Sequence, residues 1–263
     1  MNRSLITASA CLTALLAAAC SGGGGGGGSS DTDALVKAGA ALEAKVGAPG
    51  EKSDMPGKDD PDVKAFNTAA EKGLTELGTS AMPVDGFNSY DKLCGGAAKI
   101  TAAYVSAGIG AVGSGGLPMN DQAKVAQMTQ NSVRYMDQMF TPLLYSAHCT
   151  AVHLPSIEKA VSDEDVKTKT DALGKVRGGA YSQATGLLQM AASSDIGADR
   201  RKQVLDLLAR DAGNFATVFS QAQRQEFGQM LQSVGQSLPD TKAQTDKIKA
   251  GIDAAPCGKL CSF

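Results

Sequence analysis

Apolar residues return every three or four positions along most of this chain, the period of helices that bury one face. Between Asp31 and Val46 the stripe is Leu35, Leu42 and Val46. Asp60-Pro61 then offers a cap and a first-turn proline to a segment carrying Val63, Phe66, Ala70, Leu74 and Leu77. Gly47 to Asp59, with Pro49, Gly50, Pro56 and Gly57 among charges, reads as a linker that leaves the first helix loosely attached. From about Asp91 to Val112, Leu93, Ala97, Ile100, Tyr104 and Ala107 predict a long helix of small residues, closed by Gly113 to Gly116 and blocked by Pro118. Asn120 caps a second, with Val125, Met128, Ser132, Tyr135, Met136, Met139 and Leu143, which Pro142 should kink near its end. A third starts behind a Ser162/Asp165 capping box and runs through Val166, Leu173, Val176, Ala180, Ala184, Leu187 and Ala191. Val204, Leu208, Ala212, Phe215 and Phe219 mark a fourth, followed by shorter pieces around Phe227, Leu231 and Val234 and around Ile248 and Ile252.

No β-branched run alternates with period two, so the expected fold is all-α. Four long amphipathic stripes burying one another make an antiparallel helical bundle, with shorter helices added. No repeat of fixed length is present.

The amino terminus has a different pattern. One cation, Arg3, precedes Leu5, Ile6, Leu12, Leu15 and Leu16, and then Ala17, Ala18 and Ala19: a secretory signal peptide over residues 1–19. The run is shorter than the ~20 apolar residues a spanning helix needs. Residues 21–30, one Ser followed by seven Gly and two Ser, form a tether whose mean reach is roughly 16–19 Å by random-coil scaling. It lacks the preceding strand and the Gly-Lys-Ser/Thr ending of a phosphate loop. The expected organisation is a disordered leader (1–19), Cys20 and its tether (20–30), loosely packed helices and linker (31–85), and a disulfide-stabilised helical domain (86–263).

Leu16-Ala17-Ala18-Ala19-Cys20 resembles the lipobox of bacterial lipoproteins, with Leu one place earlier than that family prefers. The resemblance covers only the leader and the first mature residue. It implies cleavage before Cys20, a diacylglyceryl group on its sulfur and an acyl chain, such as palmitate, on its amine. Ser21 in place of Asp implies sorting to the outer membrane. Two or more chains, at about 0.8 kcal/mol per buried methylene, make a lasting anchor.

Composition adds exclusions. The whole chain has 25 Lys plus Arg against 27 Asp plus Glu, a formal charge of -2, too balanced for a phosphate-driven grip on nucleic acid. Of six cysteines, Cys11 is expected to leave with the leader and Cys20, by the lipobox resemblance, to be lipidated; Cys94, Cys149, Cys257 and Cys261 remain. An even number in an exported chain suggests two disulfides with three possible connectivities. With Cys94 opening the first long helix and Cys149 closing the second, an antiparallel pair favours Cys94–Cys149 and leaves Cys257–Cys261 as a terminal staple. The larger loop would stabilise by roughly 4 kcal/mol on the chain-entropy model.

Each chemical constellation has a plainer explanation. His148, Cys149 and His153 include the only histidines, but a structural zinc needs four ligands and Cys149 is better used in a disulfide. Cys257 and Cys261 lack redox Cys-x-x-Cys spacing, and covalent haem would need Cys-x-x-Cys-His. Met128, Met136 and Met139 sit on an apolar stripe, with Met119 just before it, which packing alone explains. Gly113 to Gly116 is not a Gly-x-Ser-x-Gly elbow. Asp163, Glu164 and Asp165 suit the first turn of a helix. Arg200-Arg201-Lys202 opposes the dipole at the start of the fourth, and pairs with Asp195 or Asp199, faces water, or meets an acidic partner or lipid headgroup.

No metal, cofactor or catalytic residue is therefore expected, and no enzyme. The expected role is a lipid-anchored, noncatalytic envelope protein in the outer membrane, facing the periplasm or the cell surface. Its helical domain would bind a protein partner or support an exported assembly, a periplasmic immunity-type role included. The alternative is a small-molecule or metal carrier that uses the bundle interior.

Overall fold

The computed structural model describes residues 30–48, 51–52, 54–76, 94–109, 122–194 and 196–262. The leader, Cys20, the tether, Gly113 to Gly116, Pro118 and the Asn120 cap lie outside these residues. Among those described the chain is all-α: ten α-helices and one 3-10 turn, with no strand. None of these helices is long and apolar enough to cross a membrane. They group into two bundles, one built from residues 30–76 and 94–146 and the other from 147–262.

In the first unit, α1 (Ser30–Val46) buries Leu35, Leu42 and Val46 and packs on α2 (Pro61–Glu76) and α3 (Gly96–Ile109). Gly47, at φ 74°, ends α1, a left-handed conformation that costs glycine nothing. Asp60 caps α2 by accepting from the Asp62 N–H at 2.9 Å, behind Pro61 at the first helical position. Lys45 bridges this start from the end of α1, 2.7 Å from Asp60 and 2.8 Å from Asp62. The Lys45 hydrogen bond holds the Asp60 carboxyl below its ordinary range. The predicted linker is pinned as well: Met55 is buried, its N–H donates to the Tyr135 hydroxyl at 3.4 Å, and the Tyr104 hydroxyl donates to the Pro56 carbonyl at 2.8 Å. Those two tyrosine rings lie 5.7 Å apart.

Helix α4 runs from Gln122 to Ala160, through Pro142 and Pro155. The sequence predicted an end near Cys149. A proline inside a helix costs ~3 kcal/mol or more by removing a hydrogen bond and crowding the preceding turn. Here the stretch between the prolines buries Leu143, Leu144, Tyr145, Val152 and Leu154, each contributing about 1.5–3 kcal/mol, which outweighs that cost.

The second unit adds α5 (Asp163–Thr168), α6 (Thr170–Ala192), α7 (Ala198–Ala216), α8 (Gln221–Ser237), α9 (Lys242–Ala254) and α10 (Lys259–Ser262). The Ser162/Asp165 capping box forms as expected. The long helix predicted behind it is broken at Lys169, whose backbone leaves helical geometry at φ -118° and ψ 28°. The Lys169 ammonium lies 2.6 Å from Asp165 and, with Ser162, holds that carboxyl well below the usual carboxylate range. α7 is the centre of the unit, packed on α6 and α9, while α8 packs on α9. Gly251 lets α9 approach closely: a Cβ there would stand 2.9 Å from the Ala212 Cβ. Phe219, fully buried between α7 and α8, meets Tyr181 edge-on at 5.3 Å, Phe227 at 5.9 Å and Phe215 at 6.4 Å.

Candidate functional site

The chemistry-bearing residues of the second unit gather at two places, one around a buried carboxylate and one at its carboxyl-terminal edge. The buried one joins α4 to α7. His148 Nδ1 lies 2.8 Å from Asp211 Oδ2, and both side chains are 0% exposed. Arg210 Nε stands 3.3 Å from the other Asp211 oxygen. A carboxylate facing Nδ1 places the proton there, since only an N–H can donate to it. His148 Nε2 is then the open position of the ring, buried and without a hydrogen-bond partner among the described residues. One turn on, His153 Nδ1 donates to the Cys149 carbonyl at 2.6 Å. Burial, opposed by that carbonyl and reinforced by nearby His148, lowers the His153 pKa from its ordinary 6.5.

An Asp–His couple is the base half of a nucleophile relay, but a relay needs a hydroxyl or thiol within about 3 Å of Nε2. None meets His148 Nε2 among the described residues. A carboxylate behind a histidine also resembles the outer shell of a metal ligand. Cys149 is disulfide-bonded, however, so it supplies no thiolate beside the two imidazoles. The arrangement is a buried polar clamp between two helices.

The second place is a hook made by the last described residues. Cys257 and Cys261 form the expected staple, with Cα atoms 5.2 Å apart. Glu158 of α4 accepts from the backbone N–H groups of both Lys259 and Leu260, the latter at 2.9 Å. Gly258 makes this possible, because a Cβ there would overlap the Glu158 carboxylate. The Lys259 ammonium donates to the Val161 carbonyl at 2.9 Å and pairs with Asp163 at 2.9 Å, and Arg177 donates to the Leu260 carbonyl at 3.3 Å. Leu260 is fully buried beneath this set.

The remaining predicted residues are mostly structural. Cys94 and Cys149 are each buried and each disulfide-bonded. Cys149 sits inside α4, not at its end, so the hairpin geometry used to argue its pairing with Cys94 does not describe it. Met139 is buried and Met136 partly so; the side chains of Met119 and Met128 lie outside the described residues. The cationic cluster has a local explanation. Arg201 donates to the carbonyls of Ala191 at 2.8 Å, Ser193 at 3.0 Å and Ile196 at 3.4 Å, a positive charge at the carboxyl end of α6. Lys202 pairs with Asp206 on its own helix.

Sequence reasoning missed Asp211, Glu158, Gly258 and Arg224, whose guanidinium donates to the carbonyls of Ala216, Phe219, Ala255 and Pro256. Asp211 had a signal: it falls between Leu208 and Phe215 on the apolar stripe of α7, where a carboxylate must be buried and partnered. Between α8 and α9 an open groove of about 710 Å³ is lined by Gln225, Gln229, Gln232 and the Lys249–Asp253 ion pair. Comparison with protein-family models, with curated proteins and with solved structures finds no match to this chain.

Proposed function

We propose that the chain is a noncatalytic bacterial envelope lipoprotein. Acyl chains on Cys20 fasten it to the outer membrane, where it faces the periplasm or the cell surface, and its helical domain holds a protein partner or supports an exported assembly. An immunity-type role toward a periplasmic toxin is one form of this. The observation that carries the reading is the state of the cysteines: Cys94, Cys149, Cys257 and Cys261 are all disulfide-bonded, as an oxidising compartment favours. The leader and the lipobox-like Leu16 to Cys20 supply the route there. Buried Asp211 and His148 are turned toward each other, which supports a structural role for that pair.

Crosslinking in intact envelopes, followed by capture in detergent, tests the partner. A single stoichiometric partner is expected from the wild type and a depleted one from Cys20→Ser. A crosslinked species that is only monomer in both would overturn the reading. The carrier alternative is favoured by one observation, the open His148 Nε2. Native mass spectrometry separates the two, because a stoichiometric small ligand or metal lost in His148→Phe would establish the carrier.

A further inference from the structure

The two ends of the Cys257–Cys261 bond differ in their access to solvent. Cys257 is exposed, whereas Cys261 is 3% exposed and lies beside fully buried Leu260. The bond closes a separation of only four residues, so it restrains the unfolded chain far less than a long-range bridge does. What it holds is local: the bend that presents the Lys259 and Leu260 N–H groups to Glu158, with Gly258 giving the carboxylate room. Cys149, by contrast, is 0% exposed, and an attacking thiolate has no path to its sulfur in the folded unit.

We propose that Cys257 is a thiol–disulfide exchange site and that exchange releases the carboxyl-terminal hook. The co-reactant is a dithiol reductant. Its thiolate attacks the exposed Cys257 sulfur, the bond to Cys261 breaks, and Cys261 leaves as a thiolate that takes a proton from water. The second thiol of the reductant, as thiolate, then attacks the reductant's own sulfur in the mixed disulfide, expels Cys257 as a thiolate and closes the reductant's disulfide. Two electrons have passed to the protein, which holds two thiols, and the dithiol is oxidised. Without the staple the last turn loses its covalent brace and is held by the Glu158, Arg177 and Lys259 contacts at the edge and by buried Leu260. This inference is independent of the lipid anchor and of any partner.

The test uses the full oxidised chain under native conditions with graded dithiothreitol, thiol blocking and peptide mass analysis, alongside amide hydrogen exchange. The Cys257 and Cys261 peptides are expected to be blocked at least about tenfold faster than those of Cys94 and Cys149, with exchange at Lys259 and Leu260 rising and α7 unchanged. Reduction of all four together, at the rate of global unfolding, would overturn the proposal. So would unchanged protection of Lys259 and Leu260 after reduction, which would make the bond a passive staple. The point of attack is checked with glutathione disulfide: Cys261→Ser should form an adduct at Cys257 quickly, and Cys257→Ser should react slowly at Cys261. Equal rates would contradict the assignment.

Discussion

Asp211 and Glu158 hold the second unit together by the same chemistry, a carboxylate accepting from N–H groups brought to it by another segment, yet their surroundings differ. Asp211 is sealed between helices with His148, and Arg210 reaches its outer oxygen from the surface. Glu158 is only half-buried and grips a four-residue terminal helix. Removing a buried partner leaves a desolvated group unpaired, whereas at the edge water substitutes. The first contact therefore bears on the stability of the whole unit, and the second, with the Cys257–Cys261 bond, on whether its end stays docked.

The strongest way to break that contrast is Asp211→Ala, which leaves the buried His148 N–H unpaired and is expected to lower the unfolding free energy of the second unit by about 1–3 kcal/mol in urea titration. The double change His148→Leu with Asp211→Leu should cost less than the single one, because neither group is then left alone. A single-variant cost below about 1 kcal/mol would contradict the burial argument. Glu158→Gln should cost about 1–2 kcal/mol, read locally as faster exchange of the Lys259 and Leu260 amides, with the urea midpoint almost unmoved.

Acid sharpens the comparison. Burial depresses the His153 pKa below the 6.5 of the unfolded chain, so below pH 6.5 the unfolded state binds the extra proton first. Stability is complete above that pH and is lost as pH falls toward the folded value, with a slope of at most about 1.4 kcal/mol per pH unit. Urea midpoints between pH 7.5 and 5 should fall for the wild type and flatten in His153→Asn. The smallest effect is at the surface: Ser220 accepts from the Gln223 N–H at 3.2 Å, and Ser220→Ala should cost about 1 kcal/mol or less.

The helical stripes were legible because burial enforces a period. Val204, Leu208, Ala212, Phe215 and Phe219, then Phe227, Leu231 and Val234, then Ile248 and Ile252, are all buried as their spacing predicts. Local signals also held where one turn decides the outcome, as at Asp60-Pro61 and at Ser162 with Asp165. The failures came where a distant segment decides. Pro142 looked like the approach to an end, but α4 continues because the residues beyond it are buried. Arg201 opposes its own helix and makes sense only beside the carbonyls that close α6. Glu158 meets Lys259 across a separation of 101 residues, and no period or cap records that contact. Of the candidate site residues, the staple pair Cys257 and Cys261 was readable from cysteine number and spacing, while Asp211 needed its stripe position to be treated as a warning.

The most direct measurement is intact-mass analysis of the envelope-extracted protein after growth with a clickable palmitate analogue. The account predicts a mature chain that begins at Cys20, carries acyl chains on that residue and incorporates the label, all of it abolished in Cys20→Ser. An unlabelled chain cleaved elsewhere, or one recovered free of the membrane with the Cys20 thiol unmodified, would contradict it.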